Sequence, residues 1–162
     1  MRVVVPSRSY YGQESPDKPL LGWRIAVKDM FDISGSQTTL CNRAWGDFHG
    51  VKSTTASSIR RLQDLGACIV GKTRLNAMLV REETMECVEF LAPFNPRGDG
   101  YQTSSGSSSG SCAALGAYPW IDFAIGSDSM FSYLPFLFRI QLFFPPITCT
   151  LPCQIYYSSI NC

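Results

Sequence analysis

The sequence predicts an α/β domain, and three observations predict it. Short apolar runs of strand length stand at Trp23–Asp29, Ala67–Val70 and Asp122–Asp128. A three-residue apolar spacing marks a helix between the first two. A small-residue segment marks a second helix before the third.

Trp23–Asp29, WRIAVKD, is apolar and ends in charge, as a buried strand does when its end reaches a site. Thr54–Leu65, TTASSIRRLQDL, repeats Ala56, Ile59, Leu62 and Leu65 every third residue, about one helix face. Ser53 or Thr54 is expected to cap its start, and Gly66 to take the left-handed position after its end. Ala67–Val70, ACIV, reads as a strand, and Asp122–Asp128, DFAIGSD, as a strand followed by a turn. Between them, Tyr101–Tyr118 begins rich in serine and glycine and runs directly into SCAALGA, which reads as a buried helix of small residues. Serines and glycines that open a helix gather N–H groups and hydroxyls at one point, which marks a site rather than a spacer.

Composition narrows the function. Charged residues make up 17% of the 162 and the formal net charge is +1, so nothing points to nucleic acid or an anionic membrane as a partner. The seven cysteines form no paired CxxC set and His49 is the single histidine, so no zinc site is expected. The first residues carry one short apolar run broken by Pro6, unlike a secretory signal; a reducing cytoplasm with free thiols is expected.

From Met130 to Cys162 the character changes. This stretch has one charged residue, Arg139, four prolines and three of the seven cysteines. Arg139 and the Pro145–Pro146 pair interrupt any membrane-spanning run. The segments YLPFLF and IQLFF have strand-like residues but no clean alternation. An anchor or interaction tail is one reading; translated intron or frameshifted sequence is the one the abrupt shift favours.

Gly66–Thr73, GACIVGKT, fits the phosphate-loop pattern GxxxxGK[ST]. A phosphate cradle needs a loop after a strand. Here a helix precedes it and Ala67–Val70 prefer a strand, so Lys72 is expected to pair at a structural position. Nucleotide binding through Lys72 stays as a remote alternative.

Four segments in order resemble the amidase-signature enzymes. Residues 22–35, GWRIAVKDMFDISG, resemble the stretch around that family's catalytic lysine. Residues 59–74, IRRLQDLGACIVGKTR, resemble its R-L-x-x-x-G-A-x-x-x-G-K-T segment. Residues 94–111, FNPRGDGYQTSSGSSSGS, resemble its glycine- and serine-rich stretch, and residues 125–129, IGSDS, the opening of its nucleophile loop. The match is nearest to fungal-type members. The resemblance implies a partial amidase-signature fold, a mixed sheet flanked by helices and truncated, with an N-terminal extension at residues 1–21, a partial amidase domain at 22–129 and an aberrant tail at 130–162.

It further implies hydrolysis of a small amide substrate through a Ser–Ser–Lys acyl-enzyme without metal. Lys28 matches the base, Ser107 the bridging serine that follows a cis peptide bond, and Ser132 the nucleophile. Gly126, Ser127, Asp128 and Ser129 match the loop that holds substrate and oxyanion. The chemistry fits these residue types: a serine hydroxyl needs a base, and a lysine serves as one only when its surroundings keep the amine neutral. Met130 and Phe131 stand where the family has glycines, and side chains there crowd the oxyanion site. The chain is therefore expected to be inactive, with a non-catalytic remnant that binds a partner as the alternative.

Overall fold

The computed structural model describes residues 3–79, 87, 89–104, 106–128, 139–143 and 155–157. Its centre is a five-stranded mixed sheet. In chain order the strands are β1 (Arg24–Lys28), β2 (Cys68–Thr73), β3 (Phe123–Asp128), β4 (Arg139–Phe143) and β5 (Ile155–Tyr157). In space they run β2-β1-β3-β4-β5. β1 pairs in parallel with β2 and β3, and β3 pairs antiparallel with β4. Thus Arg139–Phe143, inside the compositionally odd tail, is a strand paired along β3. The α/β class and mixed sheet expected from the sequence are both present.

Among the described residues, three α-helices accompany the sheet: α1 (Arg43–His49), α2 (Ser57–Asp64) and α3 (Ser109–Ala117). The chain steps from β1 to β2 on one side, then back across β1 to β3 on the other. Parallel crossovers are right-handed, so opposite steps put their helices on opposite faces. The packing agrees. Ile25 and Val27 of β1 join Phe123 and Ile125 of β3 with Ile59 of α2. Ala26 and Ala124, one residue out of phase, join Leu115 of α3 and Ile121. The period-two alternation of β1 thus supplies both cores.

The helix expected at Thr54–Leu65 begins later, at Ser57. Its N-cap is Ala56, with no side-chain cap bond. The preceding residues serve the loop after β1 instead: Ser34 donates to the Ser53 carbonyl and its N–H to Thr55 Oγ1, while the Ala56 N–H reaches the Asp32 carbonyl. Ile59 is fully buried and Ala56 and Leu62 pack against the core, but Leu65 is 38% exposed. A strict three-residue spacing drifts off the 3.6-residue helix face by its fourth member. Gly66 has φ +98°, the left-handed position expected of it.

The ACIV strand is longer than read. Gly71, Lys72 and Thr73 continue it by pairing with Ala26, Val27 and Lys28. The N-terminal residues are tied to the sheet: Arg8 pairs with Asp122 at 2.6 Å, and Leu20 packs on the first core. Among the described residues, no helix is long and apolar enough to cross a membrane.

Candidate active site

In an open sheet, the crevice where successive connections diverge to opposite faces lies at the carboxyl ends of the strands. Here that point is the end of β1 beside β3, and Lys28 is the last residue of β1. Lys28 shares its phase with Ala26, so its side chain rises on the α3 face. It is fully buried. Its Nζ lies 2.7 Å from Ser107 Oγ, 2.9 Å from Ser108 Oγ, 2.9 Å from Ser127 Oγ and 3.3 Å from the Ser127 carbonyl. A buried amine is costly unless hydrogen-bonded, and these oxygens surround it.

Two of those hydroxyls come from the start of α3, the small-residue helix expected from SCAALGA. The Gly106–Ser107 peptide bond is cis. Small residues let α3 approach closely: a Cβ on Gly110 would sit 2.5 Å from the backbone N and O of Arg74, and one on Gly106 would sit 2.2 Å from Asn76 Nδ2. Ser108 Oγ donates to the Ser127 carbonyl at 3.1 Å and accepts the Ser127 N–H at 3.2 Å. One turn on, Ser111 Oγ donates to the Ile125 carbonyl at 3.0 Å and meets Thr73 Oγ1 at 2.9 Å. Serine hydroxyls thus stitch α3 to both neighbouring strands.

Gly126, Ser127 and Asp128 were expected in a loop. They lie in β3 instead, opposite Gln141, Ile140 and Arg139, because β4 offers their backbone a partner. Ser127 is buried and turns its hydroxyl to the Lys28 amine. Ser129 and Ser132 fall outside the described residues.

Asp29, next to Lys28, forms its ion pair with a different lysine. Its carboxylate pairs with Lys72 at 2.7 Å and also takes the Thr39 hydroxyl and, at 3.1 Å, the Thr39 N–H. Lys72 also donates to the Gln37 carbonyl and Thr38 Oγ1, both at 2.9 Å. The phosphate-loop pattern is therefore spelled by a strand, and its lysine is engaged in a partly buried ion pair, as the strand preference of the segment anticipated.

Sequence reasoning missed Ser108 and Asn76. Ser108 stood in the serine run without a signal to separate it from its neighbours. Asn76 is buried against Gly106, and its N–H bonds the Ser107 carbonyl at 3.1 Å, a contact no local pattern announces. Two strained turns also meet nearby. Leu40 and Cys41 have φ of 49° and 53°, Met78 and Leu79 of 54° and 62°, and the Met78 N–H reaches the Leu40 carbonyl. Non-glycine residues in this region persist only where their surroundings hold them, often beside functional sites.

The architecture and cluster define a class: a mixed α/β domain with a buried lysine–serine centre at the switch point of its sheet. The chain belongs to the Amidase family, whose model matches residues 7–130. It is 38% identical over 111 residues to a glutamyl-tRNA(Gln) amidotransferase component of Lachnospira eligens, covering 68% of this chain and 22% of that protein. It is 33% identical over 111 residues to the translocon at the outer membrane of chloroplasts 64 of Pisum sativum, covering 68% and 18%. Among solved structures, a glutamyl-tRNA(Gln) amidotransferase component of Thermotoga maritima superposes with a TM-score of 0.60 at 26% identity, covering 70% of this chain and 24% of that one. The chain spans about a fifth of the length of these relatives.

Proposed function

We propose that this chain carries the lysine–serine half of a serine acyl-enzyme site for carbon–nitrogen amide bonds, and that it does not turn over substrate as it stands. The 2.7 Å approach of the buried Lys28 amine to Ser107 Oγ carries the reading. In the full reaction the Ser132 oxygen attacks the amide carbonyl while its proton passes to Ser107, whose own proton passes to Lys28. The tetrahedral intermediate then expels the amine, which leaves with a proton returned along the same path. Water, deprotonated by the same route, cleaves the acyl-enzyme to the acid and restores Ser132. The reading takes a small amide as substrate, with no metal or cofactor.

The inactivity follows from Met130 and Phe131, whose side chains occupy positions that need glycine if backbone N–H groups are to hold an oxyanion. The family match ends at residue 130, where the composition changes. Both observations support reading residues 22–129 as a partial amidase unit and 130–162 as a tail of different sequence character, two strands of which extend its sheet.

A fluorophosphonate probe tests both parts. The chain itself is expected to remain unlabelled at Ser132. A chimera that keeps residues 1–128 and continues with a relative's Gly-Gly-Ser loop and remaining domain is expected to label and to hydrolyse simple amides. Lys28→Ala or Ser107→Ala in it should cut both rates about 100-fold or more. A folded chimera that stays unlabelled, or labels equally well without Lys28, overturns the hydrolase reading and favours a non-catalytic partner-binding remnant. Labelling of the original chain at Ser132 overturns the inactivity.

A further inference from the structure

We propose that Ser108 is the positioning residue that orients the Lys28 amine beside Ser107, by accepting one of its N–H bonds while its own hydrogen is spent on β3. This rests on the reading of Lys28 and Ser107 as base and relay.

A serine hydroxyl has one hydrogen and accepts two. Ser108 spends its hydrogen on the Ser127 carbonyl at 3.1 Å and accepts the Ser127 N–H at 3.2 Å. One accepting site remains, and Lys28 Nζ lies 2.9 Å from it. Ser108 is therefore saturated as an acceptor toward the amine and has no proton to offer it. Ser127 also offers the amine its Oγ at 2.9 Å and its carbonyl at 3.3 Å. Ser107 Oγ, at 2.7 Å, is the shortest contact of the set. Torsion about Cε–Nζ is thus set by β3 through Ser108. The charged groups just after β1 and on β2, Asp29 and Lys72, answer each other at 2.7 Å.

Ser111 provides a matched control. It sits on the same face of α3 one turn on and ties the helix to β3 through the Ile125 carbonyl, but its bonds go there and to Thr73. The experiment follows the Lys28 amine in the full-length chain by NMR of labelled lysine across a pH titration. Ser108→Ala, which removes an acceptor of the protonated form, should lower the Lys28 midpoint by about one pH unit. Ser111→Ala should lose comparable stability without moving it, and Ser108→Thr should restore the parent midpoint. In the unaltered chain, the Ser108 hydroxyl proton should exchange with water far more slowly than that of Ser107, a readout that needs no variant to fold. An unchanged midpoint in Ser108→Ala, an equal shift in Ser111→Ala, or fast exchange at Ser108 overturns the proposal. The titration does not depend on turnover. A shifted midpoint beside a hydrolytically dead chimera would sink the hydrolase reading and leave the positioning role standing.

Discussion

Asp29 and Lys72 meet across the carboxyl ends of two adjacent parallel strands, their charged atoms 2.7 Å apart and their side chains 11% and 15% exposed. The pair sits one residue from Lys28 and faces away from its serine cluster. Asp29 also gathers Thr39, and Lys72 gathers Gln37 and Thr38, so the pair fastens the loop after β1 to β2.

Because the pair is largely shielded, removing one partner strands a charge. Asp29→Asn or Lys72→Met should each destabilise the chain by about 2–4 kcal/mol, and the double variant by less than the sum. Urea denaturation of the four proteins measures the coupling. Additive losses would mean that the two side chains do not interact. The same Lys72→Met protein should show no change in binding of magnesium-ATP, since its parent has no phosphate cradle to lose.

The close approach of α3 to the end of β2 makes a steric prediction. Gly110→Ala should cost about 1–3 kcal/mol, because its Cβ would lie 2.5 Å from the Arg74 backbone, which cannot rotate aside as a side chain can. Gly35→Ser is a poor comparator, since φ there is +81°. Gly12→Ala, with nothing within 4 Å of its Cβ, should be close to neutral. Thermal melting of the two proteins side by side tests the contrast.

Cys41 makes a prediction about pH. Burial pushes its thiol up from the ordinary value, and the Asp29 charge adds to this, although the Leu75 N–H, 3.3 Å from Sγ, works against it. The unfolded chain therefore ionises this thiol first. Its contribution to stability is intact below the ordinary thiol range and is lost as pH rises from there through the raised folded value. Denaturation midpoints of the parent should fall more steeply on the alkaline side than those of Cys41→Ala. In native protein, thiol reagents should reach the half-buried Cys68 and Cys112 before the buried Cys41 and Cys87.

Much of the site was legible because it is written at the ends of strands. An apolar run that closes on a lysine says that the amine stands at the rim of a core, and β1 bears this out with Ile25, Ala26, Val27 and Lys28 all buried. A serine–glycine run that enters a helix of small residues says that hydroxyls converge at its start, and Ser107 and Ser108 do. The helix cap was misplaced because a Ser–Thr run can satisfy a neighbouring loop as easily as its own helix, and here Ser53 and Thr55 bond Ser34. Leu65 was misread because a three-residue spacing tracks a helix face for only a few members.

What the sequence determined by itself is the set of segments: strand-length apolar runs, a small-residue helix, a left-handed glycine at Gly66, a lysine closing an apolar strand and a serine run opening a helix. These follow from local sterics and from the alternation of side chains, which neighbouring residues impose on one another. Tertiary structure alone decided the rest. It decided that Asp29 pairs with Lys72, that Ser127 turns inward in a strand, and that Ser108 bonds both the N–H and the carbonyl of Ser127 on β3. Such choices depend on which donors and acceptors are brought together across 19 to 99 residues of chain, and a hydroxyl's partner is set by what the fold places within about 3 Å of it.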